Sequence, residues 1–353
     1  MSLAFKLANL HNGITFNNPS VGALILYKNK IISYGITGIG GSPHAEYDAL
    51  KKIKSKKNKY SLYSTLEPCH HEGKNPSCSD FIKKKNITRV LYSDKDCNIK
   101  VSGKGLRYLS NNKIKINNIK NNFANNFYKE HNDFSENYYP KVFAKIATTK
   151  NYYSFIKGRK KITNVYLNKY THLLRSQINA ILVGVLTVNI DNPILNCRIE
   201  GFDNLSPARF IIDPRLNINT NSTIVKTSKH IPTYIFYSFE NNYKIKFLSK
   251  KNVKLIYIPN NNKFLMDPKE ILYSIGLLGY KNVLIEGGLK TIELFLKDKL
   301  IDRFYFFKNN DLIDKNASHS FNKVHSYLKN NFKRNKVLEQ VYIADNSIEV
   351  YQR

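Results

Sequence analysis

The sequence lacks tryptophan altogether, has four cysteines among its 353 residues, and carries fewer than half as many acidic as basic side chains, 26 against 56. Four cysteines in so long a chain exclude a disulfide framework. In a reducing compartment a close pair of them binds metal or does chemistry instead. Long apolar runs are also missing. The best, "AILVGVLTVNI", is short and interrupted by glycine and asparagine, whereas a membrane-spanning helix needs about 18 uncharged residues. The amino terminus "MSLAFKLANLHNG" places Lys6 inside its apolar part and has no charged leader, so it does not read as a secretory signal. A soluble, cytoplasmic protein is expected. The shortage of acid leaves a formal charge of +30, which could serve a polyanion. The lysines, however, arrive with an excess of Asn, Ile and Tyr, the pattern of an AT-rich coding sequence, and they are spread along the chain. Nucleic acid is therefore not the expected partner.

What is present is an ordinary globular composition, 42% hydrophobic and 12% aromatic, on a chain long enough for two domains. In the first part, runs of branched and aromatic residues ("VGALILY", "KIISYGI", "YSLYSTL", "RVLYSD") read as strands. They alternate with segments of helical spacing ("AEYDALKKIK", "SCSDFIKKK", "GKGLRYLSNN"), which predicts an α/β layered domain. The polar stretch Asn132 to Pro140 reads as a linker, dividing the chain into domains over 1–138 and 139–353. Beyond it the alternation resumes. "KVFAKIAT", "AILVGV", "ARFIID", "TYIFYSF", "VKLIYI" and "NVLIEGG" are expected strands, a helix is expected around Leu167 to Ser176, and the end "LEQVYIADNSIEVYQR" reads as two strands joined by an Asp-Asn-Ser turn.

Chemistry concentrates in two segments, "PHAEYDAL" and "TLEPCHHEGKNPSC". A catalytic zinc keeps three protein ligands and an open fourth position. His44, Cys69 and Cys78 supply that count, and Glu46, two residues beyond His44, lies near the metal without having to ligate it. The signature H-x-E followed by P-C-x-x-C belongs to zinc deaminases, in which the glutamate serves as general acid and base. Here eight residues separate the cysteines instead of two. The inserted loop, with His71 and Lys74, could build a substrate pocket and contact a phosphate. A closed structural zinc site is the bland alternative. His70 and Glu72 read as loop surface, and Cys97 and Cys197 as isolated semi-buried thiols.

The sequence resembles the bifunctional deaminase/reductase family of riboflavin biosynthesis. The resemblance rests on "NPSVGALIL", "PHAE", "TLEPCHHEGKNPSC" and "DCNIKVSGKGL" in the first half, and on "LLRSQINAILVGVLTVNIDNPILNCR", "PARFIIDPRL" and "NVLIEGG" in the second. It implies a cytidine-deaminase-like amino-terminal domain and a dihydrofolate-reductase-like carboxy-terminal domain. The first would deaminate a pyrimidinone bearing a ribosylamino phosphate, and the second would reduce the ribosyl group to a ribityl chain with NADPH. Residue by residue, it implies zinc on His44, Cys69 and Cys78, and Glu46 as proton shuttle. It places Asn18, His71, Lys74, Arg175, Leu195 and Arg198 at the substrates, and Lys145, Ala147, Thr187, Asp191, Glu286, Gly287 and Gly288 at the cofactor. A guanidinium suits a phosphate because it offers two parallel hydrogen bonds, and bare amides at a helix start favour one. Family members commonly associate through their reductase domains, so a homo-oligomer is also implied.

Several family positions differ. The pattern K-x-A-x-S-L-D-G appears as "KIATTKNYY", keeping Lys145 and Ala147 but not the Asp-Gly turn. Lys161 replaces a tryptophan, "KNNDLID" (Lys308 to Asp314) replaces Pro-Lys-Leu-Leu-Gly, and Thr37 replaces a histidine in the deaminase. Two alternatives follow: a deaminase whose second domain has decayed to a scaffold, and a basic RNA-binding protein or RNA-base deaminase.

Overall fold

The computed structural model describes residues 1–15, 18–54, 59–70, 77–97, 102–120, 122–156, 164–260, 266–310, 317–334 and 346–353. The chain divides into two compact units, Met1–Tyr139 and Pro140–Arg353.

In the first unit β1 (Gly22–Tyr27), β2 (Lys30–Ile36), β3 (Tyr60–Leu66), β4 (Ile87–Asp94) and β5 (Lys115–Asn118) form one sheet in the order β2-β1-β3-β4-β5. β1 runs antiparallel to β2 and β3, whereas β3, β4 and β5 are parallel. The parallel strands are linked through helices, as crossovers require. The helices are α1 (Ser2–Leu10), α2 (Ala45–Lys51), α3 (Cys78–Lys84), α4 (Lys104–Asn111) and α5 (Asn122–Asn137). Phe5, Ile25, Leu50, Leu62, Ile82, Val90 and Leu109 fill the core between helices and sheet. One expectation fails here. The stretch read as a linker is helical through Asn137, and Phe134 within it is buried. The polar, asparagine-rich residues around it leave little apolar pattern to read in the sequence.

In the second unit β6 (Lys141–Thr148), β8 (Ala180–Gly184), β9 (Ala208–Ile212), β10 (Thr233–Tyr237), β11 (Val253–Tyr257), β12 (Asn282–Ile285), β13 (Arg303–Asn309), β15 (Lys333–Arg334) and β16 (Asn346–Gln352) build a nine-stranded sheet. A two-stranded ribbon pairs β7 (Tyr153–Ile156) with β14 (Ala317–Ser320). The order is β11-β10-β9-β8-β12-β6-β13-β16-β15, parallel except at β13/β16 and β16/β15. α6 (Val165–Ser176), α7 (Val185–Asp191), α8 (Thr223–Lys226), α9 (Asn242–Lys250), α10 (Pro268–Leu277), α11 (Leu289–Lys297) and α12 (Asn322–Asn331) connect the strands. The period of two sends alternate residues of one strand into cores on opposite faces. Ala180 and Leu182 join Val142, Ala144 and Phe306, while Ile181 and Val183 join Ile211 and Leu248. The run "AILVGV" therefore reads as continuous apolar sequence, as a strand covered on both faces does. Of the terminal pair of strands read from the sequence, β16 is present, and residues 335–345, which would supply its mate, lie outside the described residues. No described helix is long and apolar enough to cross a membrane.

Candidate functional site

Three elements of the first unit converge on one point. His44 stands at the N-cap of α2, Cys78 opens α3 behind the Ser77 cap, and Cys69 follows β3 after Glu67 and Pro68. His44 Nδ1 lies 3.3 Å from Cys78 Sγ and 3.5 Å from Cys69 Sγ, and the three donor atoms all fall within 4.8 Å of one another. Two sulfurs and one imidazole nitrogen at that separation suit a tetrahedral zinc with one open position. Glu46 is buried, at 4% exposure. Its Oε2 accepts the Cys78 thiol at 3.7 Å, and its Oε1 accepts the Ser64 hydroxyl at 3.1 Å. Burial pushes its carboxyl above the usual carboxylate range, against the pull of His44. The Cys69 thiol is pulled down, first by the hydrogen bond from Cys78 and then, against burial, by the one from His44. A sulfur already biased toward thiolate is what a cation requires.

The shell around this point was only partly visible in the sequence. Asn18 donates to the Gly41 carbonyl at 3.1 Å. Gly41 has φ +87°, and a Cβ there would fall 2.1 Å from the Asn18 amide, so glycine alone admits this contact. His71 and Lys74 lie outside the described residues. His70 stacks on Tyr108 at 4.1 Å and bonds Ser79. Glu67, not singled out from sequence, is buried. It accepts the Gly103 amide at 2.8 Å and the Asp96 amide at 3.4 Å, tying the strand before Cys69 to the start of α4. Thr37 is buried, its hydroxyl accepting Val21 N at 2.9 Å and its carbonyl facing His11 Nδ1 at 2.7 Å. Ser64 and Glu67 left no sequence signal, since a serine in a strand and a glutamate in a loop are both commonplace.

In the second unit Lys145 on β6 and Glu286 just past β12 are brought close by parallel pairing that sets Ile285 opposite Ala144. Arg175 on α6 grips Glu286 through both prongs, Nε to Oε1 at 2.8 Å and Nη2 to Oε2 at 2.9 Å, and gives Nη1 to the Asn196 carbonyl at 3.1 Å. Burial would raise the Glu286 carboxyl, but Arg175 and Lys145 outweigh it and hold it low. Burial also lowers Lys145. The Arg175 fork that looked suited to phosphate is thus taken up by a carboxylate. Arg198 is exposed, with Nη1 on Asn196 Oδ1 at 2.9 Å. Leu195 buries its side chain among Ile181, Val188 and Leu216 at φ +56°, so it can offer a ligand only its backbone. Ala147 packs at the core near Phe307. Thr187 and Asp191 lie on α7, and Gly287 and Gly288 occupy the turn between β12 and α11, with Gly288 as N-cap.

A Cys2His donor set with a buried glutamate beside it, on an α/β unit followed by a largely parallel α/β unit with a strand–Gly-Gly–helix turn, defines a zinc deaminase joined to a second catalytic α/β domain. The comparisons agree across both halves. Residues 1–94 match the cytidine and deoxycytidylate deaminase zinc-binding region, and residues 145–323 match the RibD C-terminal domain. The riboflavin biosynthesis protein RibD of Aquifex aeolicus is 33% identical over 316 residues, covering 87% of this chain and 85% of that one. The diaminohydroxyphosphoribosylamino-pyrimidine deaminase of Buchnera aphidicola subsp. Schizaphis graminum is 41% identical over 116 residues, 33% of this chain and 79% of that one. The solved structure of Acinetobacter baumannii RibD superposes with a TM-score of 0.80 at 24% identity over 99% of this chain and 97% of that one, which concerns the fold.

The chain belongs to the RibD family of riboflavin biosynthesis proteins. It is accordingly an enzyme with deaminase and reductase activities that uses Zn2+ and NADPH and acts on a small pyrimidine. The scaffold and RNA readings give way to this one, because the match runs through the reductase half as well as the deaminase.

Proposed function

We propose that the first unit deaminates a diaminohydroxypyrimidine carrying a phosphoribosylamino group, and that the second reduces the ribosyl of the product to ribityl. The observation that carries the deaminase half is the placement of the buried Glu46 carboxylate 3.7 Å from Cys78 Sγ, beside three converging donors. When bound by His44, Cys69 and Cys78, Zn2+ supplies a Lewis acid that brings the pKa of water toward neutrality. Glu46 then takes a proton from the attacking water and returns it to the departing amine, work suited to a carboxyl whose burial raises it toward the operating pH. Ser64 fixes one oxygen of that carboxylate so that the other faces the reaction. Asn18 contacts the substrate, and His71 and Lys74, outside the described residues, are assigned to its phosphate side on the resemblance alone.

In the second unit NADPH supplies the hydride. Lys145, held beside Glu286, binds or protonates the sugar chain, while Arg175 acts as a positioning residue that keeps Glu286 ionised and oriented. Arg198, exposed and bonded only lightly to Asn196, takes the substrate phosphate. Thr187, Asp191 and the Gly287-Gly288 turn hold the nucleotide, the amides at the start of α11 facing its phosphates. The two units are separate domains on this reading, and self-association is assigned to the second.

Glu46→Gln should retain zinc and lose ammonia release by about 10²- to 10⁴-fold, the usual worth of a positioned acid–base group. Turnover near the parent rate with zinc in place would overturn the role. NADPH oxidation on adding the deaminated product is expected from the same preparation, and its absence in zinc-replete, deaminase-active protein would remove the reductase half of the proposal.

A further inference from the structure

Among the described residues two groups of His, Cys and carboxylate side chains bring their donor atoms within 4.8 Å of one another. One is the deaminase set. The other is Asp96, Cys97 and His131, all half-buried, on the loop after β4 and midway along α5. Asp96 and Cys97 are adjacent in sequence, while His131 arrives from 34 residues away. Their proximity is therefore made by the docking of α5 on the sheet rather than by local chain geometry.

We propose that Asp96, Cys97 and His131 form a second metal site, taking a divalent transition cation such as Zn2+ through one carboxylate, one thiolate and one imidazole, with water completing the shell. This donor set is borderline in softness and so matches Zn2+ or its neighbours rather than Mg2+ or Ca2+, which demand oxygen. Bonds of about 2.0 to 2.3 Å place tetrahedral ligands roughly 3.3 to 3.8 Å apart, and the three donor atoms here all fall within 4.8 Å of one another. Burial raises the Cys97 thiol against a hydrogen bond with Ser135, and the Asp96 and Glu136 carboxylates add to that rise. A thiol raised chiefly by burial is a poor nucleophile, which argues against a Cys-His-Asp catalytic arrangement. A dication reverses that balance, since it neutralises the carboxylate and favours the thiolate.

Bound there, the ion would clamp the end of β4 to α5. It would also sit close to the first site, because the Asp96 amide donates to Glu67, two residues before Cys69. The clamp would thus brace the strand end that carries a catalytic ligand.

The test uses the purified full chain, stripped of metal, reloaded with Zn2+ and freed of excess. Atomic emission should find two zinc per chain, falling to one in Cys97→Ser and in His131→Ala. Mass-spectrometric mapping of alkylation should show Cys97 protected by zinc in the parent chain, with the buried Cys197 as internal reference. The zinc that remains in each variant, with the circular dichroism spectrum unchanged, reports that the first unit is folded. One zinc per chain in the parent with Cys97 equally reactive in either form would overturn the proposal. So would two zinc per chain surviving both substitutions, which would place the extra ion elsewhere.

Discussion

Ser64 shows how much one hydroxyl can carry. It has no charge and no motif, yet it donates to Glu46 Oε1 at 3.1 Å from a fully buried position. A hydrogen bond to a charged group contributes about 1.5 to 3 kcal/mol, and this one holds Oε1 while Oε2 faces Cys78. Ser64→Ala should therefore slow ammonia release by roughly tenfold or more, with zinc content unchanged and the carboxyl pushed further up by its lost donor. Steady-state kinetics beside metal analysis checks this, and an unchanged kcat would show that Glu46 needs no such support. At this scale the sequence exposed the residues whose chemistry is rare. His44, Glu46, Cys69 and Cys78 stand out because few contexts call for that set. Ser64 and Glu67 do not, since their roles come from partners on other elements.

At the scale of elements, Arg209 illustrates how a strand is fixed from the side. It is completely buried on β9, and among the described residues no carboxylate is a hydrogen-bond partner of its guanidinium. Its guanidinium instead donates to the carbonyls of Ile194, Ile224 and Ile231 and to the hydroxyls of Thr227 and Thr233. Burial lowers it to about 10, still charged at neutral pH. These acceptors come from the chain before β9, from α8 and from the approach to β10, so one side chain sets how three connections lie on the sheet. Arg209→Met would leave several buried carbonyls unpaired and should cost about 3 kcal/mol or more, read as a lower urea midpoint. A midpoint unchanged within error would mean that water replaces the fork. Strand positions were legible because "KVFAKIAT" and "AILVGV" carry their burial in their own pattern. The helical run to Asn137 was not, because its asparagine-rich sequence offers few apolar residues from which to read a helical period.

At the scale of the molecule, the chain is strongly cationic, and acid adds to that charge. Glu349 on β16 accepts from Lys308 at 2.8 Å, His325 at 3.0 Å and Tyr351 at 2.8 Å. Burial alone would raise its carboxyl, but these bonds outweigh burial and hold it far below the usual range. Because the folded value is depressed, the stability it contributes is fully present above the unfolded value of about 4.3 and is lost as pH falls below that, toward the depressed value. Glu286 acts in the same direction. Stability should thus hold from neutrality to about pH 5 and then drop, with Glu349→Gln less stable at neutral pH and shallower in its acid decline. Urea denaturation at a series of pH values checks both, and an unaltered acid limb in the variant would assign the decline to other groups.

By itself, the sequence determined the chemistry of the zinc set, the α/β class and most strand positions, because each of these is written in rare residue types or in a short-range period. Tertiary structure alone decided that Arg175 spends its guanidinium on Glu286, that Ser64 and Glu67 brace the deaminase site, and that Cys97 meets His131. All of these are pairings between residues far apart in the chain, and a linear pattern carries no record of which distant partner a packed core will bring within hydrogen-bond reach.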